Sequence, residues 1–93
     1  MFKYILTIEA EEDIGRIYEY GFGQIGIIQA DKYYEMLFDC FEKIAKNLYL
    51  FPSAEHIKMG YRYCVCGVDT IFYRIASDET IVIITIIGRQ DFK

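Results

Sequence analysis

The chain has 93 residues, of which 54% are hydrophobic and 17% aromatic, and its formal net charge is −4. This length supports one core but not two, so we expect a single domain over residues 1–93, with apolar surface in excess that a partner covers. No apolar run reaches the roughly 18 residues of a membrane span, and the acidic balance disfavours a protein that works by neutralising phosphates.

The first predicted elements are a strand and a helix. Residues 3–8 are apolar and β-branched, which predicts a short strand. Thr7 precedes an acidic cluster and has the side chain of a helix N-cap. Apolar residues then recur at helical spacing, and two glycines predict that this helix ends near residues 21–23. The acidic residues of its first turn complement the helix dipole: Glu9, Glu11, Glu12 and Asp13.

A second, longer helix is predicted from about Gln24 by an apolar stripe at three- and four-residue spacing. Pro52 lacks the amide donor that a helix interior needs and ends this region. The predicted stripe consists of Ala30, Tyr34, Leu37, Phe41, Ile44 and Leu48.

The rest of the chain changes to the period of strands. Turn residues near 67–69 and 77–79 separate strands at 61–66, 70–76 and 80–87, and the last is apolar enough for a sheet centre. The order β-α-α-β-β-β predicts an α+β domain in which a helical hairpin packs on a small, mostly antiparallel sheet.

Three cysteines, Cys40, Cys64 and Cys66, form neither an even disulfide framework nor a paired metal-binding spacing. Cys64 and Cys66 are two apart in a predicted strand and therefore share a face. We interpret them as small reduced core residues, and the sequence predicts no metal and no cofactor. With no secretion signal at the start, these features favour a soluble cytoplasmic protein without membrane contact.

Several segments match one family in order along nearly the whole chain. Residues 10–20 and 22–30 match the patterns A..DL..I..Y and FG..QA, and residues 34–45 match Y..L...F..LA. The strand segments read GYR at 60–62 and IFYR at 71–74. The C-terminal segment at 86–91 reads IIGRQD, which is similar to the family pattern ILH.RQD. The chain thus resembles the ParE/RelE toxin superfamily of type II toxin-antitoxin systems, and more closely its ParE branch.

The resemblance implies one of two activities. RelE-like members cut mRNA on the ribosome, whereas ParE-like members bind and poison DNA gyrase without chemistry of their own. RNA cleavage needs a base, an acid and cations close together. His56 is the only histidine and Gly88 offers no proton donor, although Arg62, Arg74 and Arg89 are able to hold phosphate. We expect a gyrase-poisoning toxin with no catalytic residues, with two alternatives: an mRNA endoribonuclease, and an inactive member that keeps only antitoxin binding.

The resemblance also implies a cognate antitoxin, ParD-like or similar, whose disordered tail folds on binding and whose other end binds operator DNA. The toxin itself is then expected to contact DNA only through this partner. The candidates for the antitoxin groove are aromatic residues of the second helix that cannot all face inward: Tyr33, Phe38 and Phe41.

The target surface is expected at the polar end of the chain, where an arginine fork and an aromatic anchor follow the last strand. Arg74 extends this patch if it projects from the same sheet face, and a buried structural pairing is the alternative for it. The target-binding candidates are Arg74, Arg89, Gln90, Asp91 and Phe92.

Overall fold

In the computed structural model, which describes residues 3–88, a short strand leads directly into a long helix. Strand β1 (Tyr4–Leu6) is followed by α1 (Ile8–Ile25), with Thr7 between them. Thr7 Oγ1 accepts a hydrogen bond from the Ala10 amide at 3.0 Å and donates one to the Ile84 carbonyl at 2.8 Å. The predicted N-cap is confirmed, and the same side chain also fastens the start of α1 to the last strand.

The two helices meet at a single residue. α1 runs past Gly21 and Gly23, and only Gly26, with a φ of 90°, separates it from α2 (Ile27–Lys46). The predicted boundary at residues 21–24 was wrong. An interior glycine costs a helix about 1 kcal/mol, and packing of the two helices on each other offsets that cost, whereas the positive φ at the turn favours glycine. Within residues 3–88, no helix has the length and apolar character needed to cross a membrane.

Four strands form one sheet in the order β1-β4-β3-β2. The remaining strands are β2 (Tyr61–Cys66), β3 (Asp69–Ile75) and β4 (Ile81–Gly88). β1 is parallel to β4 and the other two pairings are antiparallel, which confirms the predicted α+β architecture. The apolar strand β4 lies between two neighbours, as its composition predicted.

Both helices pack on one face of the sheet. On β2, Cys64 and Cys66 point toward the helices and are buried, whereas Val65 points away and is exposed. On the opposite face the rings of Tyr63 and Phe72 lie 6.3 Å apart. The central core residues between helices and sheet are Ala10, Ile14, Ile17, Leu37, Phe41, Ile44, Ile71, Tyr73, Ile81, Ile83 and Ile86.

The segment between α2 and β2 covers part of the open edge of the sheet. The Ala54 amide donates to the Tyr61 carbonyl at 2.8 Å, and the Tyr63 amide donates to the Pro52 carbonyl at 3.1 Å. Val65, farther along β2, lies beyond this cover.

Two of the three cysteines form a disulfide. Cys40 of α2 is bonded to Cys66 of β2, while Cys64 is a buried free thiol. The expectation of no disulfide was therefore wrong for Cys40 and Cys66, and the interpretation as a reduced core thiol holds for Cys64 but not for Cys66. The cause is tertiary: Cys66 faces the helix layer, and packing brings its Cα to 6.5 Å from that of Cys40, a separation that a disulfide spans. Because the two are 26 residues apart, local spacing carries no signal of this pairing.

Candidate partner-binding groove

An apolar groove opens between the second half of α1 and the first half of α2, beside the turn that joins β2 to β3. We call it the hairpin groove, and its cavity has a volume of about 130 Å³. Apolar and aromatic side chains dominate its walls. The lining residues are Ile14, Ile17, Tyr18, Tyr20, Gly21, Gln24, Ile25, Ala30, Tyr33, Tyr34, Leu37, Val68 and Asp69.

The outer end of the hairpin carries a cluster of exposed apolar side chains. Tyr20, Phe22, Ile25, Ile27 and Ile28 are each more than half exposed. Burying one large apolar side chain contributes about 1.5–3 kcal/mol. A cluster of this kind beside a groove is typical of a surface that binds another protein.

Acidic residues outnumber basic ones on the two helices that form the hairpin groove. Glu19 and Glu35 are exposed and adjoin groove residues in the helices. Asp31 Oδ1 accepts a hydrogen bond from the Tyr18 hydroxyl at 2.7 Å, and this bond is the main cause of the raised pKa of Tyr18. This bond links α1 to α2 across one wall of the groove. A net negative charge on these helices favours a partner that carries basic residues beside its apolar ones.

The base of the groove is held by a hydrogen bond between a half-buried phenol and a buried carboxylate. The Tyr33 hydroxyl donates to Asp69 Oδ2 and also lies 3.3 Å from the Cys66 carbonyl oxygen. Asp69 is buried, and the pKa of Tyr33 is raised, first by burial and then by its bond to Asp69. The pair fixes the β2–β3 turn against α2. Sequence reasoning missed Asp69, which had been assigned only to a turn.

A second buried carboxylate holds α1 on the sheet. Asp13 accepts hydrogen bonds from Arg16 Nη1 at 2.8 Å, Thr85 Oγ1 at 2.7 Å and the Ile86 amide at 2.9 Å. From the sequence, Asp13 was grouped with the acidic residues of the first turn, but its side chain is buried and accepts hydrogen bonds from β4. The position of the groove wall formed by α1 depends on these bonds.

The predicted groove residues divide between the surface and the core. Tyr33 lines the hairpin groove, and Phe38 is partly buried, with its ring 4.8 Å from that of Tyr34. Phe41 is fully buried and offers no surface to a partner, so its assignment to the groove was wrong. Its ring packs against those of Phe38 and Tyr4 at 5.1 and 5.4 Å.

Tyr34 shows the opposite error. It was placed in the buried stripe of the second helix, yet it is 42% exposed and lines the groove. In the first two turns of α2 only Ala30 is buried, because this end of the helix extends past the layer beneath it. Tyr18 was predicted only as part of the apolar face of the first helix, and Ile25 and Val68 were not singled out from the sequence. Helical spacing places Tyr18 and Ile25 seven residues apart on one side of α1, which is the signal that was available.

The two described arginines that were considered for phosphate binding lie on opposite faces of the sheet. Arg62 pairs in register with Tyr73 and faces the helix side, where its Nη1 donates to the Phe51 carbonyl at 2.7 Å. Arg74 pairs in register with Tyr61 and is exposed on the other face. Buried pairing, the alternative considered for Arg74, is wrong. His56 is exposed in the segment between α2 and β2. These groups do not converge on one point.

Four of the predicted target-binding residues, Arg89, Gln90, Asp91 and Phe92, lie outside the described residues. Of that set, Arg74 alone is placed by the structure. It belongs to the face that also carries Tyr63 and Phe72.

Comparison with protein families identifies one match over nearly the full chain. The family described as "ParE toxin of type II toxin-antitoxin system, parDE" matches residues 4–91. A relative named Toxin ParE1 from Mycobacterium tuberculosis (strain CDC 1551 / Oshkosh) is 26% identical over 88 residues, which are 95% of this chain and 90% of the relative. Toxin ParE1 from Caulobacter vibrioides (strain ATCC 19089 / CIP 103742 / CB 15) is 32% identical over 75 residues, 81% of this chain and 78% of the relative.

Solved structures share the same fold. A chain of the chromosomal ParDE TA system from P. aeruginosa superposes with a TM-score of 0.81 at 18% identity, covering 95% of this chain and 96% of that chain. A chain of the toxin-antitoxin complex RelBE2 from Mycobacterium tuberculosis superposes with a TM-score of 0.61 at 15% identity, covering 95% and 98%. Both superpositions cover nearly the whole of this chain and of the neighbouring chain, so the overall fold is shared.

Proposed function

Because this chain belongs to the ParE toxin family of type II toxin-antitoxin systems, we propose that it is a toxin that a cognate antitoxin holds in the hairpin groove. Its proposed target is DNA gyrase, which it inhibits by binding and without a catalytic step. The observation that carries the antitoxin part is the apolar groove with its cluster of exposed large side chains.

The chemistry of the groove supports a specific kind of partner segment. Two helices joined by one glycine leave a slot whose walls are mostly apolar, and the two helices together carry a net negative charge. An amphipathic helix with aliphatic or aromatic anchors on one face and lysine or arginine beside them fits such a slot. A disordered antitoxin tail that folds into this helix offsets its ordering entropy by burying the exposed cluster.

Binding without catalysis is supported by the placement of the ionisable groups. Cleavage of RNA requires a proton acceptor, a proton donor and cations around one phosphate. Arg62 and Arg74 lie on opposite faces of the sheet, and His56 is exposed in a separate segment. A net charge of −4 further disfavours competition for a ribosome-bound message.

The proposed target surface is the sheet face opposite the helices together with the residues after β4. Arg74 supplies an exposed guanidinium there, beside the aromatic pair of Tyr63 and Phe72. Arg89, Gln90, Asp91 and Phe92 are proposed to extend this surface. Because the antitoxin and the target are proposed to bind different surfaces, a substitution in one surface is expected to leave binding at the other surface unchanged.

The decisive experiment adds purified chain to a gyrase supercoiling and cleavage reaction and, in parallel, to a ribosome-bound mRNA cleavage reaction. We expect gyrase inhibition and intact mRNA. Site-specific mRNA cuts with unaffected gyrase would contradict the proposal and favour the endoribonuclease alternative. No effect in either reaction and no growth arrest would favour a member that keeps only antitoxin binding.

Matched variants separate the two surfaces. Ile28→Glu in the exposed cluster is expected to weaken antitoxin binding while toxicity persists, since Ile28 is 68% exposed and not part of the core. The double change Arg74→Ala with Phe92→Ala is expected to remove toxicity while antitoxin affinity stays near that of the wild type. Lys46→Ala, on the exposed face at the far end of α2, is the control that changes neither.

A further inference from the structure

The disulfide joins α2, which forms one wall of the hairpin groove, to the end of β2, next to the turn at the base of the groove. Cys66 is the last residue of β2, and the turn after it carries the groove residues Val68 and Asp69. Cys40 lies seven residues after Tyr33 on α2, so the two side chains lie on the same side of that helix. The turn is therefore attached to α2 twice, by the covalent Cys40–Cys66 bond and by the contacts of the Tyr33 hydroxyl with Asp69 and the Cys66 carbonyl.

Packing between these attachments is close. A Cβ placed on Gly67 lies 2.8 Å from Met36 Cε and 3.0 Å from Tyr33 Cε1. The turn thus lies against α2 with no room for a side chain at Gly67, and the disulfide limits its movement away from the helix. The position of Val68 and Asp69 in the groove is set by this covalent bond as long as it is intact.

We propose that the Cys40–Cys66 bond is a reversible thiol–disulfide switch that controls the shape of the hairpin groove and hence its affinity for the antitoxin. The oxidised form presents a fixed groove and binds the antitoxin segment more tightly. Reduction removes one of the two attachments of the β2–β3 turn to α2, which loosens the turn and weakens binding. The antitoxin part of this inference rests on the proposed function, whereas the exchange chemistry and the movement of the turn do not.

The redox step uses a small thiol such as glutathione as reductant and its disulfide as oxidant. Cys40 is partly exposed and Cys66 is 2% exposed, so a thiolate approaches the Cys40 sulfur. A new bond forms between the reagent and Cys40, the Cys40–Cys66 bond breaks, and Cys66 leaves as a thiolate that takes a proton. A second thiol then attacks the mixed disulfide, releasing the Cys40 thiol and one molecule of small disulfide. Oxidation is the reverse of these steps.

The structure is compatible with both the Cys40–Cys66 disulfide and the two reduced thiols. After reduction the Cys66 thiol has an acceptor, the Met36 carbonyl oxygen, 3.7 Å from its sulfur. Cys64 faces the same layer but does not enter the exchange, because it is 5% exposed and burial raises the pKa of its thiol. It is therefore the matched control for the two bonded cysteines.

The test uses the full chain equilibrated in glutathione buffers from reducing to oxidising. Alkylation and peptide mass analysis report which cysteines are free, and hydrogen exchange reports the amides of residues 66–69. We expect Cys40 and Cys66 to become alkylated together, and exchange in the turn to speed up about tenfold on reduction. Affinity for the small protein encoded by the adjacent gene is expected to fall by about the same factor.

Three variants make the outcome specific. Cys64→Ser keeps the response to glutathione, whereas Cys40→Ser and Cys66→Ser have fast exchange in every buffer. Equal exchange rates in the oxidised and reduced wild type overturn the inference, and so does a Cys64→Ser variant without a response. Equal antitoxin affinity in the two states overturns the claimed control of binding. If neither state binds the neighbouring gene product, the proposed antitoxin function fails, and the exchange rates alone decide whether the bond fixes the turn.

Discussion

Replacing Asp13 with alanine removes the acceptor that fastens α1 to β4. The Ile86 amide and the Thr85 hydroxyl lose their partner, and the amide is buried. A buried donor left unsatisfied costs about 1–3 kcal/mol, and a bond to a charged acceptor contributes about 1.5–3 kcal/mol. The ion pair with Arg16 adds little, because the Arg16 side chain is 47% exposed.

We therefore expect Asp13→Ala to lower the free energy of unfolding by about 2–4 kcal/mol, a large share of the 5–15 kcal/mol typical of a small domain. Asp13→Asn keeps one carbonyl oxygen as acceptor and is expected to lose about half as much. Urea unfolding followed by circular dichroism measures both values from the midpoint and slope.

Control variants show whether the loss in the free energy of unfolding comes from the hydrogen bonds of Asp13. Glu12→Ala alters the exposed neighbouring acid and is expected to stay within about 0.5 kcal/mol of the wild type. A double-mutant cycle with Thr85→Val is expected to give a coupling of about 1 kcal/mol with Asp13. An Asp13→Ala protein as stable as Glu12→Ala, or a cycle without coupling, would refute the role of Asp13 in holding α1.

Two further predictions concern Tyr73 in the core and Gly67 in the β2–β3 turn, and the second has Gly15 as its counterpart. Burial raises the pKa of Tyr73 to about 12 from an ordinary 10.0, so the folded state holds this proton more tightly than the unfolded chain. The protonated Tyr73 hydroxyl makes its full contribution to stability below pH 10, and this contribution is lost as the pH rises toward about 12. We expect the free energy of unfolding, measured by urea titration at about pH 9 and at about pH 11.5, to fall less for Tyr73→Phe than for the wild type. Gly67→Ala is expected to destabilise by about 1–3 kcal/mol, because Gly67 has a φ of 62° and an added Cβ meets Met36 at 2.8 Å. Gly15→Ala, in open space on α1, is expected instead to stabilise by about 0.5–1 kcal/mol in the same thermal or urea assay.

The sequence correctly predicted features that depend only on residues close together in the chain. Thr7 was predicted as a cap and is one, since capping depends on a side chain and the amide three residues ahead. Gly21 and Gly23 misled the prediction because contacts between the helices outweigh glycine's low helix propensity. Tyr34 was misplaced because the helical period identifies a face of α2 but not how far the sheet extends beneath it.

The candidate site depended more on distant contacts. Tyr33 was predicted as a groove residue, but its partner Asp69 is 36 residues away and no periodic pattern links the two. The same holds for Asp13, whose acceptor role involves residues more than 70 positions later. Such polar pairs form only after the elements have packed, so composition and spacing do not reveal them.

The parallel pairing of β1 with β4 affects the order in which the parts of the chain fold during translation. Tyr4 aligns with Ile81, and Thr7 bonds to Ile84 across 77 positions. The helical hairpin can form as it emerges from the ribosome, and β2 with β3 can follow, but β1 has no partner until residues 81–88 are accessible. The strand that is synthesised first is thus paired only after β4 has been made, which delays completion of the sheet until translation has passed those residues.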